Sequence, residues 1–504
     1  MNPQDADSSY EPRQGSRHLT HRGADWSQLR ILVAGLGVSG FAAADVLSER
    51  GAIVTAVSAD ATPAISERAR ILEILEVDVR LGPEHVLEAP PRTELIVTSP
   101  GFRPDHPLML AAAARGIPVW GEVELAWRMR AQAGAAPWIT VTGTNGKTTT
   151  VKMLASILRA AGLRATSAGN VGTPLLEAVL HPEPYDVLAV ELSSFQLHWQ
   201  RSVTAVASVC LNLAPDHIDW HGSLESYRQA KAKVYAGTQI ACVYNVQDQA
   251  TQDMVREAEV AEGCRAIGFT LGIPALSMVG LVDDVLADRA FVEQRRTSAA
   301  ELATVADLQG DAPSVAPHYV ANALAAAALA RAYGVGPLSV RDGLRAFVPD
   351  PHRIADVATV GGVRFIDDSK ATNPHAARAS LVAFDHVVWI AGGLLKGADV
   401  DGLVQSVAGR LRGVVLIGAE REQIAQALAR HAPYVPVVDV PTTDTGAMDL
   451  VVARAGELAL PGDVVLLAPA AASFDMFASY GARGDAFAQA VHRYASRPEG
   501  PAAS

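Results

Sequence analysis

The sequence predicts an α/β protein of three domains, each built on a mainly parallel sheet. At 504 residues the chain is too long for one ordinary hydrophobic core. Short apolar runs alternate with amphipathic helical stretches, as in βαβ units. The predicted strands are Ile31–Ala34, Ile53–Val57, Glu94–Thr98, Val187–Val190, Ala207–Leu211, Val363–Ile366, Val387–Ile390, Val414–Ile417 and Val464–Leu467. Residues 278–310 are polar and are expected to form a long surface excursion.

Composition narrows the class of protein. Hydrophobic residues make up 49% of the chain and charged residues 19%, as in a well-packed globular protein. The net charge of -12 argues against nucleic acid as a partner. Three cysteines without paired spacing predict neither a disulfide framework nor a zinc site. No signal-like segment or apolar run of about 18 residues is present, so we expect a cytoplasmic protein without a membrane span. We also expect a monomer.

The first domain is predicted at residues 29–121, after a polar segment, residues 1–28, that we expect to be a disordered tail. Its first strand leads into Gly35-Leu-Gly-Val-Ser-Gly40, a G-x-G-x-x-G turn. Such a turn binds a dinucleotide when an acidic residue ends the next strand. Ser58 stands there instead, with Asp60 two positions on. Another phosphate-bearing ligand is therefore favoured over NAD, and a turn that only packs helix on strand is the alternative.

The central domain is predicted at residues 122–349 and begins with a phosphate-binding turn. A β-branched strand ends in Gly143-Thr-Asn-Gly146, and Lys147 and Thr148 then open a helix. The backbone N–H groups and the positive end of the helix dipole meet at one point, which suits nucleotide phosphates. We expect Lys147 to contact the outer phosphates and the Thr148 hydroxyl to bind Mg²⁺. The sequence therefore predicts ATP consumption, with a chance turn as the alternative.

Two later strands of the central domain end in polar side chains. Glu191 ends one apolar strand, and Asn212-Leu-Ala-Pro-Asp-His217 follows the next. Carboxylates at strand ends beside a phosphate-binding turn commonly hold Mg²⁺ or orient its waters. We predict Glu191 and His217 as metal ligands. The alternatives are a structural salt bridge for Glu191 and an ordinary surface or core position for His217.

One lysine is on the unexpected face of its helix. In the helix predicted at Ser223–Tyr235, Lys231 falls on the apolar side with Tyr227. Lys233 falls on the polar side. A buried ammonium group is costly unless it is paired or modified. Lys231 is therefore a candidate functional residue, unless its amine reaches past the edge of the core.

The C-terminal domain is predicted at residues 350–495 as a Rossmann-like sheet, followed by a second disordered tail at residues 496–504. Three polar or glycine-rich loops follow its strands, at Asp367–Asn373, Gly392–Lys396 and Ala468–Ser473. Parallel sheets bind ligands at the carboxyl ends of their strands, so these loops are expected to meet. Together they could bind both a nucleotide and an anionic substrate.

Taken in order, these motifs resemble those of the Mur ligases of peptidoglycan synthesis, over nearly the whole chain. The run Thr142–Thr148 is shared with relatives that include the folate polyglutamate synthases, whereas Asp367–Asn373 resembles the branch that adds D-glutamate. The resemblance implies a UDP-binding Rossmann-like domain, a central P-loop ATPase domain and a Rossmann-like C-terminal domain that closes over the site. It also implies UDP-N-acetylmuramoyl-L-alanine and D-glutamate as substrates, with ATP and two Mg²⁺ ions.

The same resemblance assigns the site residues. Those for ATP are Gly143, Thr144, Asn145, Gly146, Lys147, Thr148, Thr149, Asn322, Arg353 and Asp368. Those for the UDP substrate are Gly37, Val38, Ser39, Ser99, Pro100, Gly101, Asn170, Gly172, Ser193 and Gln196. Those for D-glutamate are Lys370, Thr372, Lys396, Ser473 and Tyr480. The catalytic residues are Lys147, Glu191, His217 and Lys231, and the metal ligands are Thr148, Glu191, His217 and Lys231.

Lys231 matches the family lysine that carries CO₂ as a carbamate, an anionic ligand for Mg²⁺. The chain departs from the family in two places. His318-Tyr-Val-Ala-Asn322 stands where His-Asn-x-x-Asn is common, which affects one adenine contact. Ser58 and Asp60 do not reproduce the acid expected beside the uracil or ribose, which affects the contacts of the first domain. The implied reaction is phosphorylation of the alanyl carboxylate to an acyl phosphate, followed by attack of the D-glutamate amine. Three alternatives are a ligase with another acceptor, such as a glutamyl chain on folate, an NAD-dependent oxidoreductase and a nucleotide-controlled switch.

Overall fold

A computed structural model describes residues 18–309, 315–441 and 444–496 of the chain. It contains three sheets in chain order, of five, nine and six strands, each flanked by helices. The predicted fold class, three α/β domains with largely parallel sheets, is confirmed. Within the described ranges, no helix is both long and apolar enough to cross a lipid bilayer.

The first sheet is entirely parallel, with its order reversed beside the first strand. Its elements are β1 Arg30–Ala34, α1 Val38–Glu49, β2 Ile53–Ser58, α2 Pro63–Ile74, β3 Asp78–Leu81, β4 Leu95–Thr98, α3 Pro107–Ala114, β5 Val119–Gly121 and α4 Glu122–Arg128. The strand order is β3-β2-β1-β4-β5. The connection after β1 leads to β2 on one side, and the connection after β4 leads to β5 on the other side. This reversal opens a crevice at the carboxyl ends of β1 and β4, where such sheets bind ligands.

The prediction that the N-terminal segment is a disordered tail is wrong for residues 18–28. Leu19 and Trp26 are each only 1% exposed and belong to the core of the first domain. The Arg22 N–H donates to the Arg130 carbonyl, and the Arg128 guanidinium donates to the Leu19 carbonyl. Burial of two large apolar side chains offsets the entropy lost on ordering this segment. Residues 1–17 and 497–504, also predicted as tails, lie outside the described residues.

The central sheet places the phosphate-binding turn between its two polar strand ends. Its strands are β6 Trp138–Thr142, β7 Ala165–Gly169, β8 Val187–Glu191, β9 Ala207–Cys210, β10 Ala241–Asn245, β11 Arg265–Phe269, β12 Met278–Val282, β13 Val285–Asp288 and β14 Ala300–Thr304. The order is β14-β13-β12-β11-β10-β9-β6-β8-β7. Because β6 pairs in parallel with both β8 and β9, the loops after these three strands are neighbours at one edge.

The surface excursion expected at residues 278–310 is wrong for residues 278–288 and 300–309, which belong to strands and a helix. Residues 278–288 and 300–304 form β12, β13 and β14, and β13 pairs in antiparallel with both of its neighbours. Residues 289–299 connect β13 to β14. The polar residues of the segment are concentrated in the turn between β12 and β13 and in the exposed connection 293–299, whereas the short strands themselves are largely apolar. Leu286 and Leu302 are buried against the central core.

Helices cover both faces of the central sheet. They are α5 Lys147–Ala160, α6 Leu175–Leu180, α7 Ser194–His198, α8 Ile218–His221, α9 Leu224–Ala232, α10 Gln249–Glu257, α11 Val305–Gln309, α12 Pro317–Ala332 and α13 Pro337–Arg345. Helix α12 is apolar on nearly every side, as expected of a helix inside a core, and packs beside α5. This packing brings the start of α12 next to the phosphate-binding turn.

The third sheet juxtaposes the three predicted loops. Its elements are β15 Ala355–Val360, β16 Val363–Asp367, α14 Pro374–Leu381, β17 Val387–Gly392, α15 Asp401–Val407, β18 Leu411–Ile417, α16 Arg421–His431, β19 Val437–Asp439, α17 Met448–Leu458, β20 Val464–Leu467 and α18 Tyr480–Ala495. The order is β15-β16-β20-β17-β18-β19, parallel except for β15. Because β16, β20 and β17 are adjacent, the loops that follow them meet, and the predicted convergence is confirmed.

Candidate active site

A cavity of about 380 Å³ lies between the central and C-terminal sheets. Both domains line it, at the carboxyl ends of their strands. The predicted site residues that it brings together are Thr144, Asn145, Gly146, Lys147, Thr148, Thr149, Asn170, Glu191, His217, Asn322, Arg353, Asp368, Lys370 and Thr372. Every residue predicted to bind ATP, except Gly143, is in this set. The residues predicted for ATP from the sequence therefore line a single cavity.

The phosphate-binding turn has a backbone that requires glycine. Gly143 has φ +147° and Gly146 has φ +84°, values that side-chain-bearing residues rarely adopt. A Cβ on Gly146 would also lie 2.4 Å from the Asn322 side-chain oxygen. No side chain caps α5 at Gly146, so the first N–H groups of this helix have no intrahelical acceptor. These donors and the helix dipole suit an anion.

Two lysine ammonium groups bind the same turn. Lys147 Nζ donates to the carbonyls of Gly143 and Thr144, both at 2.9 Å. Lys231 Nζ donates to the Gly143 carbonyl at 2.8 Å. Burial, only partly offset by the nearby Glu191 carboxylate, lowers the pKa of Lys147. The structure thus places both lysines where an anionic ligand of the turn would attract them.

Lys231 is buried, as its helical position predicts. Its side chain is 2% exposed, so the alternative in which the amine reaches past the core edge is wrong. The amine lies 4.7 Å from the centre of the Tyr227 ring, whose hydroxyl contacts the Thr144 hydroxyl at 3.1 Å. Burial, reinforced by the charge of Lys147, lowers the pKa of Lys231 to about 7. At neutral pH about half of this amine is therefore unprotonated.

Glu191 has one unused oxygen. Its Oε1 accepts a hydrogen bond of 2.8 Å from the Asn170 amide, whereas its Oε2 is buried without a hydrogen-bond partner. A buried carboxylate oxygen without a partner is costly and suits a cation. Thr148 and His217 line the same cavity. Within the described ranges, no group of three or more His, Cys, Asp or Glu side chains is placed to hold a metal ion, so a cation here would also need hydroxyl or ligand oxygens.

His217 has an unusual backbone at the start of α8. Its φ of 55° lies in the left-handed region, which a histidine adopts at some cost. The ring packs edge-on against Phe195, with centroids 4.7 Å apart, and its Nε2 lies 3.6 Å from Asp216 Oδ2. Burial is the main cause that lowers the pKa of His217, opposed by the Asp216 carboxylate. The neutral imidazole is therefore favoured, as a base or metal ligand requires.

The loop after β16 carries the C-terminal contribution. Asp368 is buried and accepts a hydrogen bond from the Ser380 hydroxyl, and burial raises its pKa to about 7. Lys370 lies 3.9 Å from the centre of the Tyr480 ring, and burial lowers the pKa of its amine to about 8. Both residues line the cavity together with the phosphate-binding turn.

Sequence reasoning missed the residues that hold this loop. Arg483, 1% exposed, donates to the Ser369 hydroxyl and carbonyl, both at 2.9 Å, and to the Ala471 carbonyl at 3.1 Å. The Ser369 hydroxyl in turn donates to the Tyr480 carbonyl at 2.8 Å. One buried guanidinium thus joins the loops after β16 and β20 and the start of α18. Ser369 lies 114 positions before Arg483 and 111 before Tyr480, so no local pattern could have identified these contacts.

Direct contacts close the C-terminal domain onto the phosphate-binding turn. The Asn145 amide contacts the His375 ring at 3.0 Å and exchanges hydrogen bonds of 3.1 and 3.5 Å with the Asn373 amide. Lys152 on α5 forms an ion pair with Asp350. Sequence reasoning did not select His375 or Asp350 for the site. No local sequence pattern marks either residue, because their contacts form between two domains.

Some residues predicted for D-glutamate lie outside the cavity lining. Lys396 is exposed, and its amine lies 5.9 Å from the centre of the Phe474 ring. Ser473 is buried, and the Tyr480 ring contacts Lys370, which lines the cavity. The roles of these three residues in binding D-glutamate stay predictions.

The residues predicted for the UDP substrate form two groups. Gly37, Val38, Ser39, Ser99, Pro100 and Gly101 lie at the crevice of the first sheet, where the Ser99 hydroxyl donates to the Gly35 carbonyl at 3.1 Å. Asn170 lines the main cavity. Ser193 and Gln196 cap α7 reciprocally, and a Cβ on Gly172 would lie 2.5 Å from the Ser167 carbonyl oxygen. The last three therefore have structural explanations, and their substrate contacts stay predictions.

The two groups are linked through Glu122 at the start of α4. This buried carboxylate accepts the N–H of Leu175 at 3.2 Å and a hydrogen bond from the Ser39 side chain. Burial nevertheless raises the pKa of Glu122. The first sheet is thus joined to the loop before α6, which follows Asn170 and Gly172.

Three α/β domains, a phosphate-binding turn that holds two lysines and a carboxylate with one oxygen free for a cation are features that suit an ATP-dependent ligase. Three family models match: the Mur ligase MurD-like N-terminal domain over residues 29–121, the Mur ligase middle domain over 141–330, and the Mur ligase glutamate ligase domain over 352–471. The chain belongs to the Mur ligase family. It is an enzyme that forms a peptide bond at the expense of ATP.

Individual relatives cover nearly the whole chain. A protein of Streptomyces avermitilis is 62% identical over 93% of this chain and 98% of its own length. A protein of Mycolicibacterium smegmatis is 46% identical over 92% of this chain and 96% of its own. Both are named UDP-N-acetylmuramoylalanine--D-glutamate ligase.

Solved structures share the fold at low sequence identity. The UDP-N-acetylmuramate-alanine ligase of Thermotoga maritima aligns with a TM-score of 0.52 at 20% identity, over 92% of this chain and 99% of its own. A pseudomurein peptide ligase type C of Methanothermus fervidus aligns with a TM-score of 0.53 at 15% identity, over 92% and 100%.

Proposed function

We propose that this enzyme joins D-glutamate to UDP-N-acetylmuramoyl-L-alanine with consumption of ATP, in the synthesis of peptidoglycan precursors. The observation that carries the proposal is the agreement between relatives of 46–62% identity, which all have the name of this ligase, and a cavity in which the ATP residues meet the loop Asp367–Asn373. The resemblance of that loop to the D-glutamate-adding branch favours this acceptor over a folate.

The reaction needs an activated carboxylate, because oxide cannot leave when an amine attacks. ATP supplies the activation by transferring its outer phosphate to the alanyl carboxylate, and the amine of D-glutamate then displaces phosphate. Charge stabilisation on the transferring group is the main catalytic demand of such a step. The N–H groups at the start of α5 and the Lys147 ammonium are the donors that meet it.

The donor set of the cavity fits Mg²⁺. Glu191 has a buried oxygen without a partner, the Thr148 hydroxyl is the usual partner of a nucleotide-bound ion, and neutral His217 is a candidate second ligand. When bound, Mg²⁺ would neutralise phosphate charge. His217, whose neutral form is favoured, could instead accept a proton from the attacking amine, and the sequence motifs allow either role.

Lys231 is proposed to carry CO₂ as a carbamate. Carbamylation needs an unprotonated amine, and burial lowers the pKa of Lys231 to about 7. The modification would replace a buried positive charge with an anion next to Lys147, which relieves the repulsion between the two ammonium groups. The carbamate would then serve as an oxygen ligand for the second Mg²⁺.

The contacts with D-glutamate in the C-terminal domain and with the UDP substrate in the first domain are also proposals. D-glutamate carboxylates would meet the amine of Lys370 and the Thr372 hydroxyl. Lys396, Ser473 and Tyr480, from the neighbouring loops and the start of α18, are proposed to complete this part of the site. UDP would occupy the crevice at Gly37–Ser39 and Ser99–Gly101. Its muramoyl part would extend past Glu122 toward Asn170. The domain limits at residues 29, 122 and 350, the monomeric state and the cytoplasmic location stay predictions.

Phosphate release tests the acceptor. With ATP, Mg²⁺ and UDP-N-acetylmuramoyl-L-alanine, we expect D-glutamate to stimulate phosphate release and L-glutamate to give at most a few per cent of that rate. A site built for one stereoisomer loses hydrogen bonds to the other. A folate-type acceptor pairing, dihydropteroate with L-glutamate, serves as the negative control. Equal rates with both glutamates, or turnover of the folate pairing, would contradict the proposal.

Replacement of Glu191 by Gln tests the cation site. We expect kcat to fall on the order of 10²-fold and the Mg²⁺ concentration for half-maximal rate to rise, because an amide oxygen binds Mg²⁺ less strongly than a carboxylate. Gln keeps the shape and the acceptor for Asn170, so Tm should stay within a few degrees. A magnesium titration of phosphate release and a thermal melt measure both quantities. An unchanged magnesium requirement with normal kcat would show that Glu191 is not a ligand of the catalytic Mg²⁺.

A further inference from the structure

Cys242 and Cys264 form a contact that the proposed ligase mechanism does not use. Their sulfur atoms are 3.8 Å apart, and both thiols are free. Cys242 lies inside β10 and is 2% exposed, whereas Cys264, just before β11, is partly exposed. The third cysteine, Cys210, is buried in β9 and has no sulfur partner among the described residues.

Backbone hydrogen bonds fix the two cysteines next to each other. Strands β10 and β11 pair in parallel, with Ala241 opposite Arg265, and the Arg265 N–H donates to the Ile240 carbonyl at 2.9 Å. On the other side, the Ala261 N–H donates to the Thr238 carbonyl at 3.0 Å, and the Cys264 N–H donates to the Ala261 carbonyl at 3.1 Å. The register sets Cys242 opposite Ala266, two positions beyond Cys264, so the thiols meet diagonally. Closure to the disulfide length of about 2.0 Å therefore needs movement of the turn that leads into β11 as well as of the side chains.

We propose that Cys242 and Cys264 are a dithiol–disulfide site that a peroxide oxidises reversibly. The Cys264 sulfur, the more exposed of the two, attacks one peroxide oxygen, which breaks the O–O bond, gives a sulfenic acid and releases water. The Cys242 sulfur then attacks the Cys264 sulfur, an S–S bond forms, and a second water leaves with the Cys242 proton. In total, two thiols are oxidised to one disulfide and one hydrogen peroxide is reduced to two waters.

The disulfide would constrain a segment that supports the active-site loop. Residues 242–264 would become a closed ring. Within it, the Asn245 amide donates to the Leu211 carbonyl at 3.0 Å, and Asp248 accepts the N–H of Leu213 at 2.7 Å. These bonds anchor the chain that leads to His217. Burial raises the pKa of both thiols, so oxidation should be faster at pH 9 than at pH 7.

Mass spectrometry of the full-length chain tests the proposal. After treatment with hydrogen peroxide at pH 8, we expect a loss of about 2 Da, a peptide pair that links Cys242 to Cys264, and a Tm higher by roughly 5–10 °C that dithiothreitol reverses. Cys210→Ser should form the same link, whereas Cys242→Ser and Cys264→Ser should not.

Two outcomes would overturn the assignment. One is a gain of 16 or 32 Da on Cys264 in the native chain without an internal link, because the neighbouring thiol would then have failed to resolve the sulfenic acid. The other is a link that involves Cys210 or a second molecule. Both are read from the native sequence, so they do not depend on how well the variants fold. The test also needs no ligase substrate and is independent of the proposed acceptor.

Discussion

Replacement of Lys147 by Ala should reduce kcat on the order of 10²–10³-fold or more. Its ammonium group lies on the carbonyls of the turn, within reach of any phosphate bound by the N–H groups of α5. The charge that develops on the transferring phosphate would lose a protein cation held at the turn. Because the turn's backbone is set by Gly143 and Gly146 rather than by this side chain, ATP binding should weaken less than turnover. Steady-state kinetics with separate ATP titrations measure the two effects.

Lys152→Ala is the matched control for this prediction. Lys152 lies on the same helix and has the same charge, but it pairs with Asp350 instead of lining the cavity. A partly exposed ion pair contributes at most about 1 kcal/mol, so we expect a change in kcat of no more than a few-fold. Near-normal turnover of Lys147→Ala, or an equal loss in both variants, would refute the phosphate role of Lys147.

The positions of the site loops could be predicted because parallel sheets follow strict rules. Once apolar strands were recognised, their polar carboxyl ends had to meet at one edge, and the cavity indeed joins Glu191 and His217 to Lys147. The periodicity of one helix was sufficient to predict that Lys231 is buried. In each case a short local pattern determines the direction in which a side chain points.

The missed features have long-range causes. Leu19 and Trp26 are isolated apolar residues in a polar segment, so only the tertiary core explains their order. Strands β12–β14 lie at a sheet edge, where the alternation of apolar residues is weak. The bonds from Arg483 to Ser369, and from Asn145 to His375, join segments more than 100 positions apart. Sequence patterns therefore identified the residues that line the cavity better than the residues that hold them in place.

Replacement of Lys231 by Ala should abolish turnover, and small carboxylic acids should restore part of it. If a carbamate supplies the oxygen ligand, acetate or formate could occupy the space left by the side chain and provide an equivalent carboxylate. Lys233→Ala is the matched control, because Lys233 lies two positions on and bonds to the His198 carbonyl at 2.8 Å, away from the turn. It should keep near-normal activity and show no response to acetate.

The pH dependence of the native enzyme gives a second measure of the same group. With a pKa of about 7, the unprotonated fraction of Lys231 should rise from about a tenth at pH 6 to about nine tenths at pH 8. Carbamate formation should rise with it, because only the unprotonated amine attacks CO₂. Chemical trapping of carbamate from labelled CO₂, followed by mass spectrometry, measures its extent at each pH. Failure of acetate rescue, together with no trapped carbamate at pH 8, would contradict the modification while leaving the phosphate role of Lys147 intact.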